Sequence, residues 1–122
     1  MPEKATTEAI IVHCIDFRLQ KYLNHWLDEN VGVEKYDRVS LAGGVFDFET
    51  VFKQVEIAER LHEIKKAVFV NHEDCGAYGE AGSRERHAAD LRAAREKLAE
   101  RYPNLSVELF YLKLNGDFEK VS

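Results

Sequence analysis

The sequence predicts a single three-layer α/β domain over residues 1–122, with a mainly parallel sheet of four strands and helices on both faces. Three observations lead to this prediction. Short β-branched runs alternate with longer segments of helical period, two of the runs contain stretches that are apolar on both faces (AIIV and AVFV), and no linker or repeat divides the chain. A chain of 122 residues is long enough for one hydrophobic core and too short for two ordinary domains.

Four segments are predicted as strands because they are short, rich in aliphatic and aromatic residues, and bounded by polar or glycine-containing turns. In chain order they are AIIVHC (9–14), YDRVSLA (36–42), KAVFVNH (66–72) and SVELFYLKL (106–114). Because a helix separates each consecutive pair, we expect parallel strands with right-handed crossovers and a flavodoxin-like order of 2-1-3-4. The first few and last few residues are expected to be loose ends.

Three helices are predicted between these strands. The first has one apolar stripe, formed by Leu19, Tyr22, Leu23, Trp26 and Leu27. The second begins after Asp47, a suitable N-cap residue, and we expect its broad apolar face to be well buried. That face consists of Phe48, Val51, Phe52, Val55, Ala58 and Leu61. The third starts near Ser83 and must end by Tyr102, because Pro103 cannot continue a helix.

Composition excludes several function classes. Seventeen basic and 22 acidic residues give a formal net charge of −5, and no basic run could follow a phosphate backbone, so we expect no nucleic-acid partner. The apolar runs have the length of strands, and the N-terminal MPEKATTE lacks the features of a secretory signal. We therefore expect a cytoplasmic protein that does not enter a membrane, with Cys14 and Cys75 as free thiols.

Residues suited to metal binding follow two neighbouring strands. Ligands of such sheets bind outside the carboxyl ends of the strands, where the strand order reverses. Cys14 ends the first strand, and His72 and Cys75 lie in NHEDCG (71–76) after the third. Two thiolates and an imidazole suit zinc, and three protein ligands leave a fourth position for water or substrate. The alternative is that Cys14 is only a small buried hydrophobic residue, and His-x-x-Cys alone is a weak pattern.

Two further features accompany this cluster. In an extended segment, Cys14, Asp16 and Arg18 would point to one side of the backbone, and the arginine would keep the carboxylate ionised. The alternatives to a role at the metal site are a simple salt bridge between Asp16 and Arg18, or an N-cap role for Asp16. Gly43 and Gly44 reach the same edge of the sheet. They could offer backbone N–H groups to an anionic substrate or could only form a tight turn, and the sequence leaves both possibilities open.

The motifs Cys-x-Asp-x-Arg, an Ala-Gly turn and His-x-x-Cys-Gly together resemble the β-class carbonic anhydrases, over roughly residues 10–78. The resemblance implies a zinc lyase (carbonate dehydratase) that converts carbon dioxide to bicarbonate, with Cys14, His72 and Cys75 as the Zn²⁺ ligands. It implies that Asp16 accepts a hydrogen bond from the nucleophile at the metal or takes the fourth zinc position itself. Arg18 would favour the first arrangement.

Other expectations stay open at this point. Relatives on the same scaffold hydrolyse carbonyl sulfide or carbon disulfide, and an inactive zinc-binding or redox-responsive module is the non-enzymatic alternative. A homodimer is expected because Val45, Phe46 and Phe48 offer apolar surface. Packing or surface roles are favoured over proton transfer for the remaining histidines, which are His13, His25, His62 and His87.

Overall fold

Five strands form one sheet, and the structure, a computed structural model, describes residues 4–122. They are β1 (Ala9–His13), β2 (Tyr36–Ser40), β3 (Lys66–His72), β4 (Ser106–Leu112) and β5 (Phe118–Val121). Their order across the sheet is β2-β1-β3-β4-β5, with β1 to β4 parallel and β5 antiparallel to β4. The predicted α/β class and the order 2-1-3-4 are confirmed, and a fifth strand is added to them.

The fifth strand corrects the expectation of a loose C-terminal end. A turn at Gly116, where φ is +97°, reverses the chain and allows β5 to pair with β4. The Phe118 ring then stacks on Trp26, with 4.8 Å between ring centroids. The strand was hard to recognise because it has only four residues, FEKV, two of them charged. The corresponding expectation for the N-terminus falls mainly on residues 1–3, which lie outside the described residues.

Three helices connect the parallel strands, namely α1 (Gln20–Asn30), α2 (Phe48–His62) and α3 (Arg84–Arg101). The predicted cap of α2 is confirmed, since the Asp47 side chain accepts a hydrogen bond from the Thr50 N–H at 3.3 Å. Ser83 caps α3 in the same way through the Arg86 N–H at 3.1 Å. None of the helices in the described part of the chain is both long enough and apolar enough to cross a membrane.

Alternate residues of the central strands enter two separate cores. Ile10 and Val12 of β1 pack with α2 and α3 on one face of the sheet, whereas Ala9 and Ile11 pack with α1 on the other. Each fully buried aliphatic side chain in these cores contributes about 1.5–3 kcal/mol to the free energy of unfolding. This three-layer arrangement fixes the relative positions of the strand ends that hold the candidate site.

One part of the α2 prediction is wrong. Val51, Val55 and Ala58 are buried, but Leu61 is 46% exposed. At about 100° per residue, Leu61 lies roughly 80° around the helix from Val51, away from the stripe that meets the sheet. The buried face of α2 is therefore narrower than the run of apolar residues suggests.

Candidate metal centre

Two cysteines and a histidine meet at the carboxyl end of the sheet. Cys14 follows β1, His72 is the last residue of β3, and Cys75 lies in the turn after it. All three side chains are buried, and their potential ligand atoms lie within 4.8 Å of one another. The two Sγ atoms are 4.0 Å apart, and both cysteines are free thiols. The structure therefore brings together the three residues that the sequence nominated.

The orientation of His72 fits a metal ligand. Its Nδ1–H donates a hydrogen bond to the carbonyl oxygen of Glu73 at 2.6 Å, which leaves the lone pair on Nε2. Within residues 4–122, this buried Nε2 has no hydrogen-bond partner. A buried polar atom without a partner is costly, and metal-binding histidines characteristically fix their tautomer through the other ring nitrogen. The cluster could therefore hold a metal ion.

The two thiols differ in their electrostatic surroundings. Burial opposes ionisation of Cys14, but interactions with the His72 imidazole and with the Gly43 N–H, 3.3 Å from Sγ, outweigh it and lower the pKa to about 7. Burial raises the pKa of Cys75, and the neighbouring Cys14 adds to that rise. Without a bound cation, the negative charge of the pair thus resides first on Cys14.

Asp16 lies beside the cluster and is held by Arg18. The guanidinium donates from Nε to Oδ1 at 3.1 Å and from Nη2 to Oδ2 at 2.7 Å. These bonds, opposed only partly by burial, lower the pKa of Asp16 to about 2. The carboxylate side chain is 14% exposed, and its Oδ2 is 4.0 Å from Nε2 of His72. An ionised oxygen therefore faces the potential metal position.

The backbone that produces this pairing is not the extended segment we expected. β1 ends at His13, and Asp16 caps a 3₁₀ turn over Phe17–Leu19 by accepting the Arg18 N–H at 2.9 Å. Asp16 thus has the N-cap role as well as the ion pair. Arg18 reaches Asp16 because the turn folds its side chain back, whereas Ile15 and Phe17 are 58% and 86% exposed. The side-by-side placement was predicted, but the period-2 reason for it was wrong.

Asp74 is a contact of Arg18 that the sequence did not reveal. Arg18 donates from Nη1 to the Asp74 carboxylate and from Nη2 to the Asp74 carbonyl, both at 3.1 Å. The two residues are 56 positions apart, so no spacing could have indicated the contact. Through it, Arg18 joins the turn after β1 to the turn after β3.

Gly43 and Gly44, the two glycines of the AGG turn (residues 42–44), lie at the predicted edge of the sheet. Both have positive φ, +85° for Gly43 and +61° for Gly44, which favours glycine. The Gly43 N–H points at Cys14 Sγ, and the Gly44 N–H donates to the carbonyl of Leu41 at 2.9 Å. Both N–H groups thus have partners within the chain, and contact between this turn and substrate stays a prediction.

His13 contacts the backbone of Cys14. It is buried, its Nδ1–H donates to the Cys14 carbonyl at 2.8 Å, and its Nε2 accepts from Arg38 Nε at 2.7 Å. Burial lowers its pKa to about 4, so it is neutral near pH 7. Gln20 also donates to the carbonyls of Cys14 and Asp16, at 3.2 and 2.8 Å. Neither Gln20 nor Arg38 was singled out from sequence, because their contacts come only from the folded chain.

The other histidines lie in different surroundings. His25 is exposed and pairs with Glu29 on the same helix. His62 lies 2.6 Å from the carboxylate of Asp37. His87 is completely buried on α3, and its burial lowers its pKa to about 4.

Sequence comparison identifies relatives of the whole chain. Residues 4–122 match a family model whose description reads "Putative carbonic anhydrase". An uncharacterized protein of Rickettsia conorii is 32% identical, over 92% of this chain and 70% of that protein. Family membership therefore extends well past residue 78, where the visible motifs end.

Structure comparison finds the same fold in carbonic anhydrases. The enzyme from Streptococcus mutans matches with a TM-score of 0.71 and 19% identity, over 100% of this chain and 86% of that chain. The apo form of a carbon disulfide hydrolase matches with a TM-score of 0.74 and 10% identity, over 97% of this chain and 80% of that chain. A tetrameric β-carbonic anhydrase from Sordaria macrospora matches with a TM-score of 0.59 and 17% identity, over 97% of this chain and 82% of that chain. With the match over residues 4–122, these findings show that the chain belongs to the carbonic anhydrase family and has the fold of its β class.

Proposed function

We propose that this protein is a zinc-dependent carbonic anhydrase that converts carbon dioxide reversibly to bicarbonate. The observation that supports this most strongly is the buried cluster of two thiols and an imidazole nitrogen without a hydrogen-bond partner among residues 4–122, with the ionised Asp16 carboxylate beside it. Cys14, His72 and Cys75 would hold Zn²⁺, because sulfur and nitrogen ligands in this number are typical of catalytic zinc sites. Family membership is consistent with this activity.

The residues around the cluster have distinct roles in this proposal. When bound, zinc would lower the pKa of a water molecule and so supply the nucleophile for carbon dioxide. Asp16 would accept a hydrogen bond from that nucleophile, which orients its lone pair toward the substrate. Arg18 keeps Asp16 ionised and holds both carboxylate oxygens, so the carboxylate can approach the metal only if those bonds break. Gly43 and Gly44 are proposed to line the substrate position.

Carbonyl sulfide and carbon disulfide are the alternative substrates. The same nucleophile could attack either molecule, and the chain shares its fold with a carbon disulfide hydrolase. The similarity at 10% identity concerns the fold alone and favours neither substrate. We favour carbon dioxide because the family model that spans residues 4–122 describes carbonic anhydrases.

A non-catalytic zinc-binding or redox-responsive module is the second alternative. The 4.0 Å separation of the two Sγ atoms would suit it. However, a structural zinc site usually has four protein ligands, whereas here the fourth nearby group is a carboxylate restrained by an arginine. That restraint favours a site with an open fourth position.

We propose that the protein forms a homodimer, although the apolar surface differs from the one expected. Val45 is buried and Phe48 is partly buried against the core, so neither offers the free surface that we predicted. Phe46 is exposed as expected, and Ile15 and Phe17, in the segment that follows Cys14, are exposed as well. Sedimentation at micromolar concentration should give a dimer, and a strict monomer would contradict this proposal.

A cytoplasmic location also stays a prediction.

A substrate panel on one preparation tests the proposed function. Protein of measured zinc content would be assayed for hydration of carbon dioxide and for release of hydrogen sulfide from carbonyl sulfide and carbon disulfide. We expect carbon dioxide turnover to exceed turnover of both sulfur substrates. Dominant hydrogen sulfide release would assign a sulfur substrate instead, and full zinc occupancy without any turnover would support the non-catalytic module.

A further inference from the structure

Asn71 is a buried amide immediately before His72 that the proposed chemistry does not use. It lies in β3 and is 1% exposed. Its side chain forms hydrogen bonds with three other segments, through Val45, Tyr78 and His87. A buried side-chain amide with all its contacts to separate segments can fix those segments relative to one another.

The contacts define one orientation of the amide. Oδ1 accepts the Val45 N–H at 3.1 Å, so Nδ2 is the atom that donates to the Tyr78 hydroxyl at 3.0 Å and to His87 Nδ1 at 2.9 Å. The Tyr78 hydroxyl in turn donates to Asp90 Oδ2 at 2.7 Å. Reversing the amide would place Nδ2 against the Val45 N–H, where two donors would meet, so the Val45 contact fixes the orientation.

Two of these segments adjoin the proposed zinc ligands. Val45 ends the AGG turn, in which the Gly43 N–H lies 3.3 Å from Cys14 Sγ. The Tyr78 N–H donates to the carbonyl of Cys75 at 3.2 Å, which closes the turn that contains Cys75. The backbone of Asn71 continues directly into His72. One amide thus connects the surroundings of all three ligands.

Gly44 permits this arrangement. A Cβ added at Gly44 would overlap Oδ1 of Asn71 and would lie 2.9 Å from the carbonyl oxygen of Val70. Only glycine therefore allows the turn to approach β3 closely enough for the Val45 N–H to reach the amide. The second glycine of the AGG turn has a structural explanation in Asn71.

We propose that Asn71 is a positioning residue for the metal centre, which presets the separation of Cys14, His72 and Cys75 by fixing the AGG turn and the Cys75 turn against β3. The inference rests on the proposed zinc site. Groups that hydrogen-bond a metal ligand directly affect metal affinity by about 10–100-fold, and Asn71 acts one step further out, through residues that adjoin the ligands. Loss of the Asn71 amide should therefore weaken zinc binding even where the chain remains folded.

The test compares Asn71→Leu, which keeps the approximate volume of the side chain without its hydrogen bonds, with Val68→Ala. Val68 is a fully buried residue of β3 in the core on the α1 face, so it controls for general loss of stability. Zinc affinity would be measured by chelator competition, and the ligand geometry by the absorption spectrum of the Co²⁺-substituted protein. We expect zinc binding about 10-fold weaker, at the lower end of the range for direct partners of metal ligands, and an altered Co²⁺ spectrum for Asn71→Leu, with Val68→Ala close to the unmodified protein.

Unchanged affinity and spectrum in Asn71→Leu, or equal losses in both variants, would overturn the inference while leaving the proposed function intact. Failure of the unmodified protein to bind zinc would overturn both. If Asn71→Leu does not fold, Tyr78→Phe provides the same test, because it removes one acceptor of the amide and retains the ring. Its zinc affinity should fall by several fold, and an unchanged value would overturn the inference.

Discussion

Arg18 and Asp16 are joined by two side-chain hydrogen bonds, Nε to Oδ1 at 3.1 Å and Nη2 to Oδ2 at 2.7 Å, while the same guanidinium holds Asp74. Because Asp16 Oδ2 is 4.0 Å from the buried Nε2 of His72, the Arg18–Asp16 pair sets the position of a negative charge beside the cluster. Whether that carboxylate orients a nucleophile or binds the metal itself decides whether the site is open.

Replacement of Asp16 by alanine should separate these two possibilities. We expect Asp16→Ala to retain zinc, because a residue that only orients the nucleophile is not a ligand. Carbon dioxide hydration should become about 10²–10⁴-fold slower, the range for loss of a side chain positioned on a proton in the transition state. Zinc content by metal analysis and stopped-flow rates check the two parts. Loss of zinc in this variant would show that Asp16 is a ligand.

Removal of the Arg18 charge should raise the pKa of Asp16. The pKa is about 2 chiefly because of the Arg18 side-chain hydrogen bonds, and in Arg18→Gln it should rise toward the ordinary value of about 3.9, held below it by the backbone N–H of residue 18. A carboxyl with a lowered pKa in the folded state stabilises the protein above about pH 4, and that contribution disappears as the pH falls to about 2. Carboxyl ¹³C NMR of metal-free protein at pH 3 should show Asp16 mostly ionised in the unmodified chain and clearly more protonated in Arg18→Gln.

Arg84→Gln is the matched control, since Arg84 pairs with Glu119 on β5. It should leave the Asp16 signal unchanged. An Asp16 carboxyl that stays ionised at pH 3 without Arg18 would mean that the charge of His72 or the turn backbone holds it, and the proposed role of Arg18 would be wrong.

Loss of His72 should abolish metal binding. His72→Ala removes the only nitrogen of the three-residue cluster, so we expect less than a tenth of the zinc content after dialysis against a weak chelator. That fraction corresponds to a difference of about 1.4 kcal/mol or more in binding free energy. His25→Ala is the control, because His25 is an exposed histidine on α1. Equal zinc content in both variants would contradict the ligand assignment.

The fifth strand should contribute to stability through Phe118. This ring stacks on Trp26 and is partly buried, so Phe118→Ala should cost about 2 kcal/mol of the free energy of unfolding. Phe17→Ala, at an 86% exposed position, should change it by less than about 0.5 kcal/mol. Urea denaturation of the two variants checks the difference. Equal values would mean that β5 does not help to close the α1 core.

The parallel part of the fold was predictable because β1 and β3 are apolar on both faces and helical segments of clear period separate the strands. β5 was not, since four residues with two charges leave no periodic signal and the strand exists through its pairing with β4. The prediction that Leu61 is buried was wrong for a related reason. Periodicity shows which helix positions share a face, but the edge of the buried zone depends on the neighbouring elements.

The candidate site was likewise predictable only in part. Cys14, His72 and Cys75 could be placed together because each lies at or just after the end of a strand at the same edge of the sheet. The contacts of Asp74 and Asn71 could not, because they join residues far apart in sequence through side chains. The 3₁₀ turn after Cys14 was also missed, since Asp16 can cap a turn as readily as it can occupy an extended segment.

The most direct test of the proposed function is stopped-flow hydration of carbon dioxide by protein of verified zinc content, from about pH 7 to about pH 9. Two thiolate ligands donate more charge than imidazoles, so the water that zinc would activate should have a pKa above the value near 7 known for all-histidine sites. We therefore predict a hydration rate that rises with pH across this range. No hydration at any pH despite full zinc occupancy would contradict the proposed function, whereas a rate that is flat or falls would contradict the predicted pKa of the activated water.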